Sequence, residues 1–153
     1  MPLHPAWVKN ISRRVLWAAL EPDISKEQRL SMAAFFDNRC AYCEGALGGR
    51  WHADHLVPVD VGGFNHISNR VAACPKCNEH EKRDMDWRRF VEIKSAAQQE
   101  ILASRLDRIE NWVALHEPVT PPVTEEQRAA WRREVETVAR VIDDAWNRLK
   151  NGG

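Results

Sequence analysis

Apolar and polar positions alternate with helical spacing at both ends of the chain and with strand-like spacing in the middle. From Trp7 to Leu20, the spacing of Val8, Ile11, Val15 and Ala19 marks one stripe of a helix, with Lys9, Arg13 and Arg14 largely off it. Glu21-Pro22-Asp23 breaks that pattern. Ser25-Lys26-Glu27-Gln28 then has the sequence of a capping box, and the helix it starts should turn Leu30, Ala33, Ala34 and Phe36 inward. Arg50 to Val57 and Asn69 to Ala73 read as two strands, separated by Pro58 and a turn at Gly62-Gly63. A helix is expected from Asn78 onward. Trp87, Phe90, Val91 and Lys94 start another, and Ser95-Ala96-Ala97-Gln98 suggests a cap for a third. Leu102, Leu106, Ile109 and Val113 carry that helix until Pro118, Pro121 and Pro122 stop it. Thr124-Glu125-Glu126-Gln127 repeats the capping-box pattern. Beyond it Trp131, Val135, Val138, Ile142, Ala145 and Leu149 alternate steps of four and three, which is a heptad seam. We expect the seam to form a helical hairpin against residues 96–116; the alternative is a homodimer or partner-docking helix.

The four cysteines stand as Cys40-Ala-Tyr-Cys43 and Cys74-Pro-Lys-Cys77, with residues 44 to 73 between the pairs. Two thiolates three positions apart in a tight turn reach one tetrahedral ion, so the pairs point to zinc. The enclosed stretch is longer than the 15 to 20 residues usual for such sites. Something beyond a zinc knuckle has been built inside the clamp.

Composition refines this picture only modestly. The 153 residues suit a single domain with a helical extension, with 44% hydrophobic and 29% charged residues. Neither a membrane span nor a signal peptide is visible, which favours zinc over disulfides and a cytoplasmic location. The 22 basic and 22 acidic residues cancel, so any nucleic-acid contact needs a local basic patch.

The ordered string Cys-x-x-Cys, Asp54-His55-Leu-Val-Pro58, Gly62-Gly63, Asn69-Arg-Val, Cys74-x-x-Cys77-Asn78-x-x-x-Lys82 resembles the HNH endonuclease family, over roughly residues 36–90. Asn78 stands where the family more often has His. Lys82 comes one residue later than the usual spacing. The resemblance implies a ββα-metal nuclease module with His55 as general base. It also implies that Asp54 and Asn78 hold a catalytic Mg²⁺ or Mn²⁺, and that Asn69 fixes the loop carrying His55. The chemistry agrees: a carboxylate and an amide oxygen suit a hard ion, and imidazole takes a proton near neutral pH. In an ideal strand, however, Asp54 and His55 point to opposite faces. If both address one phosphate, the strand must twist or bulge, or Asp54 acts at longer reach.

The fold expected is therefore α+β: N-terminal helices over 1–35, a zinc-stapled ββα module over 36–90, and a C-terminal helical region over 91–153. Four thiolates close the zinc sphere, so that zinc is structural. Candidate nucleic-acid contacts are Lys82, Arg83, Arg70, His80 and His52. The function expected is metal-dependent endonuclease activity, on DNA in preference to RNA. The alternatives are an RNA-cleaving enzyme and a non-catalytic zinc-binding adaptor.

Overall fold

The computed structural model describes residues 4–118 and 120–151. It has two compact units, one formed by the segments up to Pro22 and from Pro121 onward, the other by Asp23–Thr120. Among the described residues no helix is long and apolar enough to cross a membrane.

In the first unit, α1 (Pro5–Ala18) lies along α5 (Glu125–Lys150). Trp17 and Trp131 meet edge to face with ring centroids 5.0 Å apart, and Lys9 pairs with Asp143 at 2.9 Å. The capping box at Thr124 forms as read, with both reciprocal bonds present. Within this unit α5 packs on α1. The heptad seam is real, and Trp131 is buried while Val135, Val138, Ile142 and Ala145 are half-buried. Its apolar positions are thus only partly covered inside the unit, and Leu149, the last of them, is 85% exposed. The stripe read on α1 is correspondingly turned outward, with Val15 63% exposed, while Trp17 provides the buried contact. A heptad pattern records that a helix has a partner but not where in the chain the partner lies.

The second unit holds the rest. Its α2 (Lys26–Phe35) starts at the Ser25 capping box, with both bonds formed. Met32, Ala33 and Phe36 enter the core, whereas Leu30 and Ala34 are exposed, a rotation of the face expected. Strand β1 (His52–His55) pairs antiparallel with β2 (Arg70–Ala73), setting His55 opposite Arg70, Asp54 opposite Val71 and His52 opposite Ala73. Every residue of β2 is buried, so this short strand is the floor of the core. The chain then forms a π-helix, Lys76–Lys82, where an ordinary helix was expected. A π-turn absorbs one extra residue, which accounts physically for Lys82 standing one place late.

Two further helices close the unit, α3 (Trp87–Lys94) and α4 (Gln99–Leu115). Ser95 does not cap α4. Its hydroxyl donates back to the Val91 carbonyl at 2.8 Å, ending α3, and Gln98 precedes α4 without a side-chain cap. The indole N–H of Trp112, on α4, donates to the carbonyls of Ile67 (3.2 Å) and Arg70 (2.8 Å). That contact fastens the helix to the backbone at the start of β2.

Candidate active site and metal centre

The Cys40 turn and the start of the π-helix bring the four sulfurs within 4.8 Å of one another. Tetrahedral zinc with Zn–S near ~2.3 Å requires such crowding. Two backbone bonds shape the first turn, Glu44 N–H to Cys40 O and Cys40 N–H to Gly45 O, both 2.8 Å. Another, from Ala41 N–H to Ala72 O at 2.8 Å, ties it to β2. Proton sharing within the cluster draws the Cys40 thiol down to about 5, chiefly through its hydrogen bond with Cys77, while Cys77 is pushed up. Burial also raises Cys43, so Cys40 is the thiol of the set whose proton is loosened.

Between the cysteine pairs the chain makes a loop from Leu56 to Asn69, and Asn69 closes it. Its amide nitrogen donates to Val57 O and Phe64 O, each at 2.8 Å, and its oxygen accepts from Val57 N–H at 2.9 Å. These three bonds tie the two ends of the loop together. Gly62 has φ +111°, a region that disfavours side chains. Gly63 lies so close to the loop's first residues that a Cβ there would stand 1.8 Å from Val57 O. The glycine pair is thus a requirement of the clamp.

His55 leads into that loop. Its Nε2 lies 3.0 Å from Asn65 Oδ1, and its Nδ1 lies 2.9 Å from the Arg70 guanidinium. A guanidinium only donates, so Nδ1 accepts and the ring proton sits on Nε2, facing Asn65. Burial, then the Arg70 charge beside it, push the imidazole down to about 4.

Asp54 faces the other way. Its Oδ2 accepts from the Tyr42 hydroxyl at 2.7 Å and pairs with Lys82 Nζ at 3.0 Å. Lys82 also donates to the His55 carbonyl at 2.8 Å. Burial, and the Asp54 charge next to it, raise the Tyr42 hydroxyl well above its ordinary value, so it stays a donor. Strand alternation therefore holds without a twist or bulge: Asp54 looks toward the π-helix and His55 toward Arg70 and Asn65. Asn78 is half-buried in the first turn of the same π-helix.

The order of these residues along one short stretch now meets a direct comparison. Residues 40–84 match the HNH endonuclease family. The matched segment lies wholly within the second unit. No curated protein and no solved structure gives a significant match.

Within the matched segment, two of the residues expected to contact nucleic acid are buried. Lys82 is 2% exposed and spent on Asp54 and His55. Arg70 is 7% exposed and is bonded here to His55, Ala53 O (2.9 Å) and Asp23. Both lie on inward faces, which no count of basic residues reveals. His52 Nε2 lies 2.9 Å from Glu79 Oε1, without hydrogen-bond geometry. Arg83 and His80 remain exposed. Four partners went unread: Tyr42, Asn65, Asp23 and Trp112. Tyr42 had one available signal, its place between the first two cysteines; the others are set by tertiary contacts alone.

Proposed function

We propose that this protein is a metal-dependent endonuclease that hydrolyses nucleic-acid phosphodiester bonds, DNA in preference to RNA. The carrying observation is the Asn69 clamp, which fixes the loop that follows His55 with three hydrogen bonds inside the matched HNH segment. A purely structural zinc module has no use for a histidine so held.

In this reading the four cysteines hold one structural Zn²⁺ that fastens the turn before β1 to the π-helix. It leaves no ligand position for water. A second ion would be held by Asn78 and by Asp54, which acts at longer reach from the face opposite His55. The donor set fits: the contacts of Asp54 with Tyr42 and Lys82 are made through Oδ2, and Asn78 stands four residues before Lys82, close to one π-turn away. When bound, Mg²⁺ or Mn²⁺ neutralises charge on the phosphoryl oxygens. Lys82 offsets the Asp54 charge, so the phosphate itself must contribute the negative charge that the ion needs. His55 takes the proton from the attacking water, and Asn65 keeps the ring oriented through Nε2. Arg83 and His80, at the exposed end of the π-helix, contact backbone phosphates.

The test is cleavage of single- and double-stranded DNA and RNA with Mg²⁺ or Mn²⁺ by wild type and His55→Ala. His55→Ala is expected to lose about 100-fold or more in rate. Equal rates would remove His55 as the base. A second reading, a non-catalytic zinc-binding adaptor, is favoured by one observation, that both ring nitrogens of His55 are occupied. Inactivity of the wild type and of variants that free the ring, on every substrate, would establish it.

A further inference from the structure

The cross-strand register sets Arg70 directly opposite His55. One nitrogen of its guanidinium bonds both His55 Nδ1 and Ala53 O, at 2.9 Å each, and the other terminal nitrogen pairs with Asp23. The remaining nitrogen, Nε, is buried with no partner. On the far side of the ring, Asn65 accepts the Nε2 proton. A ring with a proton on one nitrogen and a guanidinium on the other has no lone pair to offer water.

We infer that Arg70 is a removable cap on His55, held shut by Asp23, so that the resting protein keeps its base covered. The inference rests on the nuclease reading only in naming His55 a base. The cap itself is geometric. Arg70 is buried, with 9% of its side chain exposed, whereas its counter-charge Asp23 is 65% exposed. The anchor of the cap is therefore at the surface, at the first residue of the unit, where it can be displaced without opening the core. The unpaired Nε leaves the closed arrangement one donor short. A buried donor without a partner costs free energy, so the guanidinium gains by moving to an oxygen-rich anion able to accept from both Nε and a terminal nitrogen. A phosphodiester oxygen pair has that geometry.

The experiment uses the full chain and two variants, Asp23→Ala at the exposed anchor and Arg70→Leu at the cap. Long-range ¹H–¹⁵N correlation spectra of the histidine rings report the His55 tautomer without any cleavage. The wild type is expected to show the proton on Nε2 alone, and both variants a mixture of tautomers. Cleavage with Mn²⁺ by Asp23→Ala should be faster by about tenfold, the change that loss of one charge-assisted hydrogen bond produces in an equilibrium. If the wild-type ring already shows both tautomers, or carries its proton on Nδ1, the cap is overturned. It is equally overturned if wild type cleaves and Asp23→Ala cleaves no faster. Tautomers as expected with no cleavage by any of the proteins uphold the cap and sink the nuclease reading instead.

Discussion

Replacing Gly63 by Ala tests the loop clamp most directly. The added Cβ would lie 1.8 Å from Val57 O, 2.7 Å from Val57 C and 2.8 Å from Asn69 Nδ2. Two of those atoms are backbone and the third is the clamp's own donor, so no flexible side chain can yield. Relieving the overlap moves Val57 and Gly63 apart by more than about 1 Å, which takes the Asn69 bonds beyond the ~3.2 Å limit of a good N–H···O contact. At roughly 1 kcal/mol net for each of the three bonds, the expected loss is about 3 kcal/mol. Urea unfolding followed by tryptophan fluorescence and circular dichroism measures it. Gly49→Ala is the control: nothing lies within 4 Å of a Cβ there, and the change should stay within about 0.5 kcal/mol. Asn69→Ala should cost about as much as Gly63→Ala, and the double variant little more, because both remove the same bonds. A Gly63→Ala protein within about 1 kcal/mol of wild type would refute the reasoning, as would full additivity with Asn69→Ala.

Three other expectations follow from the same geometry. Lys82→Met leaves Asp54 with Tyr42 as its only described partner and should destabilise the protein by about 3–5 kcal/mol in urea, with Asp54→Asn in the same chain recovering part of the loss. Cys74→Ser should abolish bound zinc, measured by atomic absorption, together with the native circular dichroism; a zinc-free variant with a native spectrum would contradict a folding role for the cluster. The third concerns pH. His55 is held near 4 against an ordinary 6.5, so between those values the unfolded chain binds the proton and the folded one does not. Its contribution is therefore complete above pH 6.5 and lost as pH falls toward 4, by up to about 3 kcal/mol. His55→Gln should flatten that part of the stability–pH curve, and an unchanged slope would show that other groups dominate it.

Local chemistry made several features legible in the sequence. Both capping boxes formed where Ser25 and Thr124 predicted them, because a capping box is satisfied within four residues. The four cysteines converge as their spacing required. Asn69 and the Gly62-Gly63 turn were readable because a clamp and its glycines lie within one short loop. The Asp54-His55 conflict was also readable, since strand alternation is a local rule.

What the sequence could not decide depends on which residues distant in the chain come to share a face. The seam on α5 announced a partner, and only the packed unit shows α1, more than a hundred residues earlier in the chain, lying along it. Lys82 and Arg70 read as surface cations because charge alone says nothing of direction. The π-turn swings Lys82 beneath Asp54, and the strand register sets Arg70 against His55. Asp23, 47 residues from Arg70, completes the group. The sequence by itself thus determined that the four cysteines converge, that Asn69 closes the loop and that the central segment matches the HNH endonuclease family. Whether the presumed base stands open or covered was decided by tertiary structure, because a hydrogen bond across two strands belongs to neither strand's own sequence.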